Sequence, residues 1–339
     1  MKKKAIIIIS CSLVGTLALG AFGTVYFLFL HHYKGKKVVN NWSVTDTFDI
    51  KDIPAINKEK GKDFTILNLA DVQMCDLEDL GNRKIVHKEI DYLVNLTNPD
   101  LITLTGDQVW SNENLICLKS LISWLDGYRI PFAPVFGNHD YGNEFDSATA
   151  GLNYSCDLYE KAKYSLFDRG PTNIGSLGNY AINIMEDDKI INTLYMMDHG
   201  YGSITEGQLD WFKWTADGIK DNNGGVYSNG MVFMHKPIKE FFYAVNGVDS
   251  ESLTLSPMFD LAKDRGVTHF TCGHYHELNF SEPFRGVVMT MATKTDELAG
   301  FYEDDDEYIN GGTSFTIKGE EIVIKHNYVN RTDYRIKTK

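Results

Sequence analysis

Beyond residue 62 the chain alternates between two hydrophobic rhythms. Short apolar runs of four to seven residues recur at FTILNLA (64–70), LITLT (101–105), FAPVF (132–136), YAINI (180–184), INTLYMM (191–197), MVFM (231–234), VTHFTC (267–272) and VVMTMA (287–292). Their length and their β-branched and aromatic content predict buried strands. Longer amphipathic stretches lie between several of them and predict helices over about 83–96, 113–125, 155–167, 206–219 and 255–265. Thr205 and Gln208 ahead of Leu209, Trp211 and Phe212 suit a capped amphipathic helix. Residues 313–329 (TSFTIKGEEIVIKHNYV) read as a hairpin turning at Lys318-Gly319. Nothing repeats at a fixed period, and no low-complexity linker divides the body. The pattern predicts one α/β domain over residues 63–339, a mixed-sheet core of two packed sheets flanked by helices.

Ahead of that domain the rhythm changes. After a basic tail at residues 1–4, Ala5 to Leu30 run for 26 residues without a charge. About 20 apolar residues cross a bilayer as a helix, so the stretch is expected to be one N-terminal transmembrane anchor. Cleavage after a signal segment, at Ala18-Leu19-Gly20, is the other reading, although uncharged residues continue to Leu30. Lysines flank the span on both sides, so the charge bias is nearly balanced. A leading anchor of this kind is expected to leave the body outside the cytoplasm. Residues 31–62 are polar and irregular and read as a tether.

The chain is acidic, net −13, and six of its 33 basic residues are lysines within residues 1–37. The body therefore lacks the basic face that nucleic acid or an anionic membrane surface requires, and no nucleic-acid partner is expected. The run Glu303 to Glu307 (EDDDE) reads as a solvated loop. Beyond the anchor, Cys75, Cys117, Cys156 and Cys272 are widely spaced with no CxxC, which excludes a zinc ribbon and a dense disulfide scaffold. The sequence has no GxSxG, no Walker A loop and no GxGxxG opening a helix, which disfavours serine hydrolases, NTPases and dinucleotide enzymes.

Candidate chemistry gathers just past the predicted strands. Asp71 and Gln73 follow the first (LADVQM), Asp107 the second (GDQ), and Asn138, His139 and Asp140 the third (GNHD). His235 follows the sixth (MHKP), and His274 and His276 the seventh (GHYH). Singly, each is an ordinary loop residue. Jointly they put oxygen and nitrogen donors at the carboxyl ends of strands, the edge where sites collect in open α/β sheets. Two cations about 3.5–4 Å apart can clamp a phosphoryl oxygen. They need a bridging carboxylate, with neutral imidazoles, an amide and a second carboxylate completing the shell. That donor set suits Mn, Fe or Zn better than Ca. His199, in Asp198-His199-Gly200 after the fifth run, joins Asp140 as a candidate on the substrate side. His87 and His269 fall inside a predicted helix and strand and read as structural.

The order of these motifs resembles the calcineurin-like metallophosphoesterases: D-x-H, GD, GNHD/E, a single His, then GHxH. The likeness covers about residues 64–329. LTGDQV, FGNHD, the HKP tripeptide and YSLFDRGPTNIGSLGNY are similar to membrane-linked or secreted phosphatases near the purple acid phosphatases. The resemblance implies a double β-sandwich flanked by helices and a site for two divalent or trivalent metal ions. It further implies hydrolysis of phosphate mono- or diesters of a small phosphorylated substrate, by in-line attack of a metal-bridging hydroxide. Carried over, Asp71, Gln73 and His276 would bind the first metal, Asp107 would bridge, and Asn138, His235 and His274 would bind the second. His139 would stand near the substrate, neutralising the phosphoryl group or protonating the leaving oxygen.

Two positions depart from the family pattern. Trp110 stands where the protein phosphatases of the family place an Asp that partners the GNH histidine, which weakens any analogy to them. Gln73 replaces the D-x-H histidine; its amide oxygen can still coordinate a hard cation, only more weakly, so a looser first site is expected. The alternative expectation is a non-catalytic metal-binding or interaction protein that retains the fold.

Overall fold

The computed structural model describes residues 35–74, 80–109, 115–141, 152–200, 202–295 and 310–329. The expected anchor at 5–30, the acidic run 303–307, Cys75 and Trp110 lie outside the described residues.

The apolar runs form two mixed sheets. The first has seven strands: β1 (Ala55–Asn57), β5 (Tyr180–Glu186), β6 (Lys189–Met196), β7 (Asn229–Phe233), β8 (Val267–Cys272), β10 (Val287–Met291) and β9 (Phe280–Phe284), in that spatial order. The second has five: β12 (Glu321–Tyr328), β11 (Gly311–Lys318), β2 (Phe64–Leu69), β3 (Leu101–Thr105) and β4 (Phe132–Val135). Pairing is parallel along β6-β7-β8-β10 and along β2-β3-β4, so seven strands bring their carboxyl ends to one edge. A parallel bridge between Ala70 and Lys294 joins the two sheets at that edge.

Alternation decides what each face buries. On β6 and β7, Leu194, Met196, Met231 and Phe233 face the second sheet, and Phe233 meets Phe315 of β11 edge to face at 5.9 Å. Their neighbours Tyr195, Met197, Val232 and Met234 face outward. There they pack under α4 (Glu206–Asn222), α5 (Glu240–Val245) and α6 (Pro257–Lys263). The five-stranded sheet is covered in turn by α1 (Leu80–Thr97) and α2 (Leu115–Tyr128). Among the described residues no helix is long and apolar enough to cross a membrane. α4 starts as expected: the Thr205 side chain caps the Gln208 N–H, and the Gln208 side chain returns to the Thr205 N–H.

Two expectations need correction. The helix expected over 155–167 is α3, Leu152–Tyr159. Beyond it the chain lies beside β4, with the Leu166 N–H donating to Phe132 O at 2.8 Å and Tyr164 O accepting the Phe132 N–H at 3.0 Å. The Asp126 carboxylate accepts the N–H groups of Lys163 and Tyr164, so these amides are satisfied outside a helix. The tether expected over 31–62 is, in its described part, a docked arm. β1 pairs in parallel with β5. Trp42 and Phe48 meet Trp214 of α4 edge to face at 5.6 and 5.1 Å. Buried Arg169 donates to Lys36 O at 2.9 Å. The arm's polar composition hid its few large apolar contacts, and β9 was hidden by Pro283, tolerated because β9 is an edge strand.

Candidate metal centre

The donors converge because their loops turn sharply at the ends of β2, β3, β4, β7 and β8. Asp71, Gln73, Asp107 and His274 all adopt positive φ, at 49°, 41°, 50° and 74°. Each such backbone costs of order 1 kcal/mol or more in a non-glycine residue and persists where surrounding structure enforces it. Three motif glycines make the approach possible. A Cβ on Gly106 would strike the His235 ring at 2.4 Å, one on Gly137 would meet Asp107 Oδ1 at 2.2 Å, and one on Gly273 would meet Asp71 Oδ2 at 2.4 Å.

One cluster forms around His235 Nε2. It lies 3.0 Å from Asn138 Oδ1, 3.3 Å from Asp107 Oδ2 and 3.2 Å from His274 Nδ1. The donor atoms of Asp107, His235 and His274 all fall within 4.8 Å of one another. His235 is oriented from behind, its Nδ1 3.0 Å from Thr105 O, which leaves Nε2 facing the cluster. A second group adjoins it: His276 Nε2 is 3.4 Å from Asp71 Oδ1 and 3.2 Å from Gln73 Nε2, and Gln73 Nε2 is 3.5 Å from Asp107 Oδ2. Half a turn about its last torsion brings the Gln73 amide oxygen to the place of the nitrogen. Asp107 thus sits between the two groups. Its other oxygen, Oδ1, accepts the His139 N–H at 2.8 Å, and the His139 ring, half-buried, has Nε2 3.8 Å from Oδ2.

The electrostatics reflect this crowding. Burial disfavours an ionised Asp107, but the neighbouring His235 outweighs it and takes the carboxyl down to about 2. Burial would lower His235, but Asp107, and after it Asp71, raise it to about 9. Burial and then His235 push His274 down to about 4, and burial lowers His139. Two imidazole nitrogens 3.2 Å apart, with a buried carboxylate and an amide oxygen around them, form a donor set that a cation fits.

Seven expected ligands and His139 are therefore brought together, whereas the two expected substrate-side residues are turned elsewhere. Asp140 is buried and its carboxylate accepts three backbone amides, Gly137 at 2.8 Å, Gln108 at 2.9 Å and Val109 at 3.3 Å. It latches the GNHD loop onto the GDQ loop. His199 has Nδ1 3.2 Å from Gly202 O and Nε2 3.1 Å from Lys236 O, so its ring is taken up by backbone. Sequence reasoning missed Thr105 O, which no side-chain pattern announces, and the hydrogen bond from the Tyr141 hydroxyl to buried Asp198.

Two packed mixed sheets with such donors at one edge define an α/β fold with a candidate metal site. The sequence matches the model of the Calcineurin-like phosphoesterase family over residues 64–278, and the chain belongs to that family. It is similar to an uncharacterized protein of Schizosaccharomyces pombe, 27% identical over 169 residues, covering 45% of this chain and 30% of that protein. It is also similar to an Arabidopsis thaliana protein named probable inactive purple acid phosphatase 28, 24% identical over 216 residues, covering 52% of this chain and 54% of the relative. The chain thus spans about half or less of the length of these curated relatives. In fold it is similar to GAP50, the anchor in the inner membrane complex of Plasmodium, with a TM-score of 0.51 at 12% identity, covering 80% of this chain and 87% of that one.

Proposed function

We propose that the protein is a metal-dependent hydrolase of phosphate mono- or diesters, with two cations, Mn, Fe or Zn by the chemistry of the donor set, at the edge where its sheets meet. The observation that carries this is the convergence of Asp107, His235 and His274 donor atoms within 4.8 Å, with Asn138 beside them and the Asp71–Gln73–His276 group adjoining. Asp71, Gln73 and His276 would hold one cation, Asn138, His235 and His274 the other, and Asp107 would serve both. When bound, such a pair supplies Lewis acidity and lowers the pKa of water.

The chain's own groups do the rest. The Thr105 carbonyl holds the His235 Nδ1 proton, so Nε2 is the nitrogen that would give up its proton and face a cation. The backbone N–H of His139 fixes the Asp107 carboxylate. The His139 ring stands at the half-buried rim and is available to neutralise a phosphoryl oxygen or to give a proton to the leaving oxygen. The substrate would be small, since an acidic body repels polymeric nucleic acid. The uncharged run Ala5–Leu30 supports a single-pass membrane anchor, and we place the domain outside the cytoplasm on the general behaviour of a leading anchor, the flanking lysines being balanced.

Asp107→Asn tests the reading. Loaded with Mn²⁺ or Zn²⁺, the wild type is expected to hydrolyse an aryl phosphate, and the variant to lose at least about a hundredfold in rate together with bound metal. Unchanged hydrolysis in the variant rules the mechanism out. Gln73 supports a second reading, a metal-binding protein without turnover, because an amide replaces an imidazole at the first cation. Two metals bound with no ester hydrolysed would favour that second reading.

A further inference from the structure

At the carboxyl end of β6, Asp198 and His199 belong to neither donor group, yet each reaches a loop that carries one of the site's histidines. Asp198 is 1% exposed, and its Oδ2 accepts the hydroxyl of Tyr141, two residues beyond His139. Its Oδ1 accepts the Gly200 N–H at 2.9 Å. Its backbone carbonyl accepts from the Ser176 hydroxyl and from the amide of Gln208, the residue that closes the capping box of α4. The carboxylate thus has a partner on each oxygen, and the residue's main chain is held by two more. His199 lies between Gly202 O and the carbonyl of Lys236, the neighbour of His235; burial lowers its pKa, and the neutral ring donates its one N–H to one of the two, the shorter contact being Nε2 to Lys236 O at 3.1 Å.

The placement answers a geometric need. The Gly137–Tyr141 loop continues β4 of the five-stranded sheet, and Asp140 latches it to the loop after β3 in that same sheet. His235 and His274 come from β7 and β8 of the other sheet. Asp140 holds the His139 loop within its own sheet and makes no bond of its own to the other. Contacts across the sandwich set it relative to the two histidines; Asn138 to His235 is one, and the Tyr141–Asp198 bond is another, at the far end of the loop.

We propose that Asp198 and His199 are positioning residues, a brace from β6 that holds the His139 loop through Tyr141 and the His235 loop through the Lys236 carbonyl. Its kinetic consequence rests on the phosphoesterase reading above; its structural consequence does not. The experiment compares the full chain with Tyr141→Phe, Asp198→Ala and their double variant, loaded with Mn²⁺. Two metals are expected to remain bound in all of them. On an aryl phosphate, kcat is expected to fall about ten- to a hundredfold while KM stays within about twofold, as for a misplaced catalytic group. The double variant is expected to be no worse than either single one, because both break the same link. Asp198→Glu, which keeps the acceptor, is expected to recover part of the rate. His199→Phe is expected to weaken Mn²⁺ binding about tenfold instead, as a lost outer-shell support does. Amide hydrogen exchange gives a readout independent of activity: faster exchange confined to residues 137–141 in Tyr141→Phe is expected. Additive rate losses, or unchanged exchange at 137–141, overturn the brace. If the wild type binds metal but hydrolyses nothing, the phosphoesterase reading falls alone, and the exchange data still decide the brace.

Discussion

Gln73 faces Asp107 and His276 from a left-handed backbone position, φ 41°, that a histidine would have to share. Its backbone N–H is already committed to Asp107 O at 2.8 Å, so the residue's place is set by main chain and only the end group is open to exchange. An imidazole there would add a stronger donor than an amide without moving the loop. Gln73→His is therefore expected to tighten the weaker of two Mn²⁺ or Zn²⁺ ions by about tenfold, a difference near 1.4 kcal/mol. Titration calorimetry of metal-free protein reads it, and two unchanged binding steps would remove Gln73 from the ligand set. At this scale the sequence was informative where chemistry is carried by side-chain type. Asp71, Asp107, Asn138, His235, His274 and His276 could each be named from donor identity and from position after an apolar run. Asp140 and His199 could not be sorted the same way, because their partners are backbone amides and carbonyls, which leave no trace in residue identity.

Strands such as β3 and β4 were legible as elements because both faces are buried, which makes the apolar run continuous. β8 shows the limit of that logic. Phe270 and Cys272 face the helices, while His269 and Thr271 are turned to the other side, and His269 is buried with Nδ1 2.7 Å from the Thr268 hydroxyl. Burial takes the His269 pKa down to about 4. The unfolded chain binds a proton below about 6.5, whereas the folded strand resists it until about 4. This histidine's contribution is therefore intact above pH 6.5 and is lost as the pH falls through that window. Between pH 7.5 and pH 5 the loss amounts to about 2 kcal/mol. His269→Gln removes the titration and keeps a polar group, so its acid limb is expected to be flatter by that amount. Urea midpoints of both proteins at the two pH values measure it; parallel pH dependences would mean that His269 is protonated in the folded sheet.

The whole molecule is larger than the sequence pattern suggested, because the arm over residues 35–57 completes it. α4 carries Gly218 in its interior, a residue that costs a helix about 1 kcal/mol relative to alanine. Helix propensity alone gives no reason for it, but the arm does: a Cβ on Gly218 would lie 2.4 Å from the Phe48 ring. Glycine makes the hollow in which Phe48 sits, and Phe48 in turn packs on Trp214. The two positions should then be coupled. In the full chain, Gly218→Ala is expected to destabilise, since overpacking costs about 1–3 kcal/mol and exceeds the propensity gained. With Phe48→Ala already in place the hollow is open, and the same substitution should stabilise by up to about 1 kcal/mol. The change of sign, read as thermal midpoints across a double-mutant cycle, distinguishes a docked arm from a loose one. If Gly218→Ala stabilises both backgrounds equally, Phe48 does not rest on α4, and the segment is a tether after all.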